Sequence, residues 1–122
     1  MTATEAIAAG DALRPGNPYS AAQKRAWLGA LDGRIWLEVR QESPDELPNY
    51  PAPGQGETET KALLVPAPYD LLYPAYLAAQ VDLADMEWEA YSVSARAYNV
   101  LFEDYAKYWL REHRPAGRKV VY

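Results

Sequence analysis

The sequence contains no cysteine and only one histidine, and these two absences narrow the chemistry open to it. Disulfides and cysteine-based zinc sites are excluded, and a chain without cysteine suits a reducing compartment. A serine–histidine–aspartate triad or a multi-histidine metal site would have to be built around His113. This histidine lies among basic residues at a predicted helix end, where a surface position that stabilises the helix dipole is the simpler interpretation.

Motifs that bind phosphates, metals or membranes are also missing or incomplete. Gly54-Gln55-Gly56 lacks the further glycine and the lysine of phosphate-binding loops. The acids Asp82, Asp85, Glu87 and Glu89 lack the ligand order of a calcium loop, which favours a solvated helix junction. No run of 18 uncharged apolar residues occurs, and no basic start precedes an apolar run, so we expect neither a membrane span nor a signal peptide. We predict a protein that is not an enzyme, with no catalytic residues, metal site or cofactor.

Charge is distributed unevenly along the 122 residues, whose total is −5 at pH 7. Residues 42–104 hold twelve acids and two bases, a net of −10, whereas residues 105–122 carry +4. An acidic body disfavours broad nucleic-acid binding, which needs a large cationic surface. We expect the basic C-terminal residues to pair with acidic protein surface or to lie at a helix end, with phosphate contact as the less favoured alternative.

Four helical segments are predicted, and the first two begin with recognisable capping residues. The first covers Thr2 to Leu13, where Thr2 and Glu5 match a capping box. The second begins at Ser20, with Gln23 as the reciprocal cap, and runs to about residue 42. Glycine and proline at residues 15–18 separate the two helices.

The second predicted helix has two distinct faces. The first is an apolar face at helical spacing, formed by Leu28, Leu31, Ile35 and Val39. The second contains only small residues, namely Ala22, Ala26, Gly29 and Gly33. Because glycine inside a helix costs about 1 kcal/mol relative to alanine, we expect something bulky to pack closely on this small-residue stripe.

A proline-rich loop, residues 43–67, separates the second helix from a third at about residues 68–84. A short strand or hairpin near residues 58–65 is one interpretation of the loop, and a flexible linker is the alternative. Leu63, Leu64 and Val65 require burial, and we include them among the candidate interface residues. Pro74 either kinks the third helix or lies in its first turn. The predicted buried side of that helix contains Leu72, Tyr76 or Leu77, Gln80 and Leu83.

The fourth helix, with Asp85 as its N-cap and His113 near its end, carries the strongest pattern in the sequence. A seam with spacings of 3 and 4 runs through Trp88, Tyr91, Ala95, Tyr98, Phe102, Tyr105 and Trp109. The helix would be about 40 Å long, which exceeds what so small a domain can cover. We therefore predict that part of the seam or its outward flank contacts a neighbouring subunit, through Val100, Leu101, Tyr108 and Trp109. The alternative is that the aromatic residues form only the domain's own core.

Beyond Pro115 we predict an extended C-terminal tail, residues 116–122. Its last residues, Arg118, Lys119, Val120, Val121 and Tyr122, favour a strand that could add to the edge of a partner's sheet. A frayed terminus is the alternative. The predicted fold is all-α: a four-helix bundle-like domain over residues 1–115, with the proline-rich loop inside it and the extended tail after it.

Several short runs resemble the small helical head–tail connector (adaptor, or head-completion) proteins of tailed bacteriophages and prophages. The resemblance spans residues 2–115 and is carried by Asp11–Pro15, Trp27-Leu28, Leu31–Arg34, Glu46–Pro48, Leu64–Asp70, Tyr76–Ala79, Asn99, Phe102, Tyr105 and Trp109. The sequence departs from the family at two places. The turn at residues 84–87 is often Asn-Gly-like in the family, and Pro74 interrupts a helix that we would expect to be continuous.

The resemblance implies a helical bundle that assembles as a ring, commonly dodecameric, beneath the portal, in the neck through which DNA passes. It implies the portal and the next neck or tail-completion protein as partners, the virion as location, and no catalytic residues to carry over. An acidic inner surface would let the duplex slide, and we expect Arg118–Tyr122 to contact the portal. The alternative is a cytosolic regulatory helical bundle, antitoxin- or adaptor-like, that binds one protein partner. A duplex-DNA binder is disfavoured by the acidic body.

Overall fold

Four α-helices account for most of the chain in a computed structural model, which describes residues 1–41 and 62–113. Helix α1 spans Ala3–Leu13, α2 spans Ala21–Arg34, α3 spans Leu72–Ala84 and α4 spans Trp88–His113. Helices α1, α2 and α4 all pack against α3, which makes α3 the centre of the bundle. No β-strand occurs in either described range, so the predicted all-α fold is confirmed.

Helix α1 begins at the predicted capping box. The Thr2 hydroxyl accepts from the Glu5 amide at 3.2 Å, and the Glu5 carboxylate accepts from the Thr2 amide at 2.9 Å. These bonds to Thr2, the backbone one foremost, lower the pKa of Glu5. Gly10 then allows a close approach to α3, because a Cβ at this position would lie 3.0 Å from the Cβ of Leu77.

Helix α2 starts as predicted, since the Ser20 hydroxyl accepts from the Gln23 amide at 3.1 Å. After Arg34 the helix continues as a π-helical turn over Ile35–Val39. Gln41 has a φ of 53°, which ends the helical segment just before the predicted boundary. The predicted apolar face is confirmed as buried at Leu28, Leu31, Ile35 and Val39.

The small-residue stripe of α2 does not behave as predicted. Ala22 and Ala26 are exposed, and a Cβ at Gly33 would meet no atom within 4 Å. The helix packs on the rest of the bundle through its apolar face, so this stripe points away from α1 and α3. The expectation of a bulky group packed on the stripe is therefore wrong at these three positions of the subunit.

Helix α3 starts four residues later than predicted, after a 3-10 turn at Tyr69–Leu71. Pro74 is its third residue, so the missing amide falls in the first turn, where no intrahelical bond is required. Leu72 and Leu77 are buried as predicted. Leu83 is 37% exposed, contrary to its predicted place on the buried side, because it lies in the last turn beside the connection to α4.

The turn between α3 and α4 differs from the prediction. Asp85 follows the last residue of α3, and its carboxylate accepts from the Tyr19 hydroxyl at 2.6 Å. Met86 has a left-handed φ of 57°, and the first α4 bond from this turn runs from the Tyr91 amide to the Glu87 carbonyl at 2.8 Å. The predicted N-cap role of Asp85 is therefore wrong, because the side chain is used in a contact distant in sequence.

Helix α4 turns back along α3 and buries most of the predicted seam together with a row beside it. That row has spacings of 4, 3, 4 and 3 and consists of Ser94, Tyr98, Leu101, Tyr105 and Tyr108. Ser94, Tyr98 and Tyr105 are buried, and the other two are half-buried against the core. Trp88, at the start of the predicted seam, is 61% exposed. The seam is thus correct from Tyr98 to Trp109, since Phe102 and Trp109 are also half-buried against the core, and it fails at its first position.

Residues 62–65 join the N-terminus to the core. Ala62 forms an isolated antiparallel bridge with Thr2, and the Leu63 amide donates to the Met1 carbonyl at 2.8 Å. The described part of the predicted 58–65 strand or hairpin therefore pairs with the chain's first residues. Residues 42–61 of the proline-rich loop and residues 114–122 lie outside the described residues.

Candidate functional site

A buried carboxylate, Asp32, fixes the segment after residue 61 to α2 and α3. The Tyr73 hydroxyl donates to Asp32 Oδ1 at 2.5 Å and accepts from the Val65 amide at 2.9 Å. The Leu64 amide donates to Asp32 Oδ2 at 3.2 Å. Asp32 and Tyr73 have no exposed surface, so these bonds replace the water that both groups lose on folding. The network holds the chain together and offers no group to a ligand.

A second network joins α1, α3 and α4 around Asp82. Arg14 donates through Nε to Oδ1 and through a terminal nitrogen to Oδ2, both at 2.8 Å. The Ser94 hydroxyl donates to Oδ2, also at 2.8 Å. The Arg14 hydrogen bond is the main cause that lowers the pKa of Asp82. Three helices are therefore tied at the end of the bundle where α3 meets α4.

A third contact links α1 to α2. Lys24 Nζ donates to Asp11 Oδ1 at 2.6 Å, and the Asn17 amide group donates to the same oxygen at 3.0 Å. The bond from Lys24 is the main cause that lowers the pKa of Asp11. Lys24 is buried, so its charge is balanced mainly by this carboxylate. Asp11 and Arg14 both belong to the run 11–15 that carries the resemblance.

Of the four predicted interface residues on α4, three lie against the subunit's own core, namely Leu101, Tyr108 and Trp109, whereas Val100 is exposed. Tyr108 stacks on Tyr69 with ring centroids 4.7 Å apart. Trp109 receives the Arg40 guanidinium 4.5 Å from its ring centroid and stacks with His113 at 3.4 Å. Leu101 and Tyr108 are half-buried, so they do not lie on the outward side of α4. A contact with a neighbouring subunit at these positions stays a prediction.

The remaining predicted interface residues fall into two groups. Leu63 and Val65 are buried in the subunit's own core, and Leu64 is half-buried. Their requirement for burial is thus met within one chain, which removes the reason for assigning Leu63 and Val65 to a partner. Arg118, Lys119, Val120, Val121 and Tyr122 lie outside the described residues.

Helix α4 exposes large apolar side chains that the sequence analysis did not assign as a group. Val93 is 66% exposed and Val100 55%, and these two lie one heptad apart. Leu110 is 53% exposed near the other end of the helix. Val100 belongs to the predicted outward flank, whereas Val93 and Leu110 lie outside the aromatic spacing from which the seam was predicted.

A surface groove lies beside the C-terminal half of α4. Its volume is about 250 Å³, and it is lined by Glu38, Val39, Gln41, Phe102, Ala106 and Leu110. We call this feature the α4 groove. Its walls are mainly apolar, and Glu38 is paired with Arg34 at 2.6 Å. The π-helical turn after α2 contributes to the groove, since Glu38 and Val39 belong to it.

The end of α3, the turn after it and the start of α4 expose three large apolar side chains. They are Leu83, Met86 and Trp88, with Met86 71% exposed. The bond from Tyr19 to Asp85 and the Asp82 network fix the backbone of this turn.

Within residues 1–41 and 62–113, no group of three or more histidine, cysteine, aspartate or glutamate side chains is arranged to hold a metal ion. No helix in the same ranges is both long and apolar enough to cross a membrane. The chain matches no family model, no curated protein and no solved structure.

Proposed function

We propose that this protein is a structural subunit of a bacteriophage neck, in which copies form a ring beneath the portal that joins head to tail and lets DNA pass. The observation that carries the proposal is the apolar surface of α4 that the described residues leave exposed. This helix has 26 residues and is about 39 Å long, whereas α3, which packs along it, has 13 residues and is about 20 Å long. Apolar side chains exposed on a well-packed rod favour association with further protein.

The residues that carry the resemblance also support the proposal, because they make the contacts that define the fold. Arg14 pairs with Asp82, and Ser94 donates to the same carboxylate, so that three helices are joined. Asp32 fixes the backbone of Leu64. Tyr105 lies in the core. The resemblance therefore concerns residues that determine the architecture, which is what proteins with a shared fold would have in common.

The charge of residues 62–113 suits a passage for DNA, whereas residues 1–41 are nearly neutral, with five bases and four acids. Residues 62–113 hold eight acids against three bases, which are Arg96, Lys107 and Arg111. A ring built from such subunits would repel the phosphates of a duplex and would not hold it at physiological salt. The purified protein should accordingly fail to retain duplex DNA under these conditions. Tight retention would contradict the proposal.

Assembly with the portal protein encoded in the same genome tests the function directly. We expect co-expression to yield a ring on the portal axis in negative-stain images. Val100→Glu should prevent the ring, because it places a charge in the exposed apolar surface, whereas Asn99→Glu adds the same charge at a neighbouring exposed polar position and should not. Both variants should keep the helical circular dichroism of the parent.

Two outcomes would contradict the proposal. A stable small oligomer that ignores the portal and captures one regulatory partner would favour the alternative regulatory bundle. Equal ring formation by the Val100→Glu and Asn99→Glu variants would show that the exposed surface of α4 is not used. The predicted portal contact of residues 118–122 is tested separately by a chain that ends at Pro115, which should join heads and tails poorly.

A further inference from the structure

We infer that the outward face of α4 binds the same face of a second copy, with the two helices antiparallel, to form a two-fold symmetric dimer. The inference goes beyond the proposed function, because a contact between identical surfaces closes after two copies and cannot by itself build a ring. It rests on the spacing and the charges of exposed residues on α4, which are complementary to the same helix in the reverse direction.

Seven exposed residues form one stripe along α4. Their spacings are 4, 3, 4, 4, 3 and 4, so they lie within a sector of about 80° around the helix and extend over about 33 Å. The stripe consists of Glu89, Val93, Arg96, Val100, Asp104, Lys107 and Arg111, and we call it the α4 stripe. Val100 lies two positions from both Tyr98 and Phe102, which places it about 160° around the helix from these core-facing side chains. The α4 stripe therefore points away from the subunit's own core.

Charge along the α4 stripe changes sign about Val100. The acid Glu89 lies 11 positions before Val100, and the base Arg111 lies 11 positions after it. The base Arg96 lies four positions before it, and the acid Asp104 lies four positions after it. When two helices pack antiparallel about a two-fold axis at Val100, each residue faces the one at the same distance on the other side of Val100 in the second copy. Arg96 then faces Asp104 and Glu89 faces Arg111, and the symmetry makes each of these pairs twice.

The apolar members of the stripe are covered in the same arrangement. Val100, which is 55% exposed in the subunit, meets Val100 of the second copy on the axis. Val93, which is 66% exposed, faces Lys107, whose aliphatic stem can cover an apolar side chain while the ammonium group stays in water. The contact therefore removes from water both valines that the subunit leaves exposed on this helix face.

Other arrangements of the two helices bring like charges together. In a parallel pair in register, Arg96 faces Arg96 and Asp104 faces Asp104. In an antiparallel pair shifted by seven positions, Glu89 faces Asp104 in one direction of the shift, and Arg96 faces Arg111 in the other. Like charges placed opposite each other disfavour a contact. Charge thus selects both the antiparallel orientation and the register centred on Val100.

The charged side chains of the stripe are available for such a contact. Within residues 1–41 and 62–113, Glu89, Arg96, Asp104 and Arg111 form no ion pair, and all four are exposed. In contrast, the acids Asp11 and Asp82 are each paired with a base of the same subunit. Exposed ion pairs contribute little individually, so we expect a weak dimer whose affinity falls as salt rises.

Reversing the charges of one pair tests the contact in the full-length protein. Arg96→Glu alone makes residue 96 face Asp104 of its copy as a like charge, and Asp104→Arg alone makes two arginines face each other. In a mixture of the two variants, however, both contacts of the heterodimer join opposite charges. The double variant Arg96→Glu/Asp104→Arg also restores both contacts and keeps the parent's net charge. Glu112→Arg is the control for charge, because it makes the same change as Asp104→Arg about 120° around the helix from Val100.

Sedimentation equilibrium at low salt, over micromolar to millimolar protein concentrations, measures the dimer dissociation constant. We expect each single reversal to raise this constant about tenfold, because two symmetric contacts change from attraction to repulsion. The mixture and the double variant should return to within about threefold of the parent, and Glu112→Arg should stay within the same range. All variants should keep the parent's melting temperature within about 2 °C, since the substituted side chains are exposed.

Several results would overturn the inference. These are a parent protein that stays monomeric, single reversals that leave the dissociation constant unchanged, a mixture that associates no better than its components, or a Glu112→Arg variant that is weakened as much as Asp104→Arg. A monomeric parent would direct the search for the occupant of the stripe to residues 114–122 or to another protein.

Failure of the dimer and failure of the neck function can be told apart. Under the neck proposal the dimer must open before the ring forms, since both contacts use Val100. Rings on the portal from a protein that is monomeric when free would overturn the dimer and leave the neck function standing. A dimer that responds to the charge reversals as expected but forms no ring on the portal would support the antiparallel contact and contradict the neck function.

Discussion

Replacing Asp82 with alanine should lower the free energy of unfolding by about 3 kcal/mol. The carboxylate accepts three hydrogen bonds at 2.8 Å, two from Arg14 and one from Ser94, and only 4% of the residue is exposed. Removing one member of a buried ion pair costs about 3–5 kcal/mol. We take the lower end because the Arg14 side chain is 34% exposed and regains water. For a chain of this length, the melting temperature should fall by about 10 °C.

The effect should depend on pH with a definite sign. Arg14 lowers the pKa of Asp82 in the folded protein, whereas an aspartate in the unfolded chain has a pKa of about 3.9. The unfolded state therefore binds this proton more readily than the folded state does. The stabilisation from Asp82 is fully present above the unfolded pKa and is lost as the pH falls through the folded one. The difference between parent and variant should persist from neutral pH to about pH 5 and shrink below about pH 4.

Urea unfolding followed by circular dichroism measures both quantities. Asp82→Ala, Arg14→Ala and the double variant form a thermodynamic cycle, in which we expect a coupling energy of about 2 kcal/mol at neutral pH. Glu103→Ala, which removes an exposed acid from the middle of α4, is the control and should change stability by less than about 0.5 kcal/mol. Additive effects within about 0.5 kcal/mol, or a difference that does not shrink in acid, would refute the reasoning.

Three further predictions use the same unfolding assay. Gly10→Ala should destabilise the protein by about 1–3 kcal/mol, because the new Cβ would lie 3.0 Å from the Cβ of Leu77. Gly33→Ala should stabilise it by up to about 1 kcal/mol, since no atom lies within 4 Å of the new Cβ. Equal effects of the two substitutions would contradict the packing of α1 on α3. Met86→Gly should raise the free energy of unfolding by about 1 kcal/mol, because glycine relieves the left-handed φ of 57°. Gly16→Ala, at a φ of 74°, should lower it by a similar amount. A loss of stability in the Met86 variant would count against this turn. Tyr73→Phe should cost about 2 kcal/mol, because it removes the donor to Asp32 Oδ1 and the acceptor of the Val65 amide. Tyr105→Phe should be neutral or stabilising, since the buried Tyr105 hydroxyl has no hydrogen-bond partner among the described residues. Comparable losses would mean that the two hydroxyls are equally engaged.

Local capping and periodicity could be predicted from the sequence because short-range chemistry determines them. Thr2 and Ser20 begin their helices through bonds to residues three positions ahead, which any reader of the sequence can count. The apolar face of α2 follows from helical spacing in the same way. Pro74 had two allowed places, and only the structure identified the first turn as the correct one.

Contacts between residues distant in sequence could not be predicted. Asp85 has the side chain of a good N-cap, yet it accepts from Tyr19, 66 positions earlier, and α4 begins after it. The aromatic seam of α4 likewise gave the buried side of the helix only in part. The buried side follows the surfaces that α3 and residues 69–71 present to α4, and it also includes Ser94, a polar residue that donates to Asp82.

The packing of Leu101 and Tyr108 on the subunit's own core decides which substitutions can report on assembly. A charge at Tyr108 would disrupt the stack on Tyr69, whose ring centroid lies 4.7 Å away, and would destabilise the subunit itself. Loss of particle assembly in such a variant would follow from unfolding as readily as from a broken interface. Val100, at 55% exposed, has no such role in the core, so Val100→Glu should keep the parent melting temperature within about 2 °C. If that variant keeps its stability and loses the ring, the exposed side of α4 is the surface on which the copies meet.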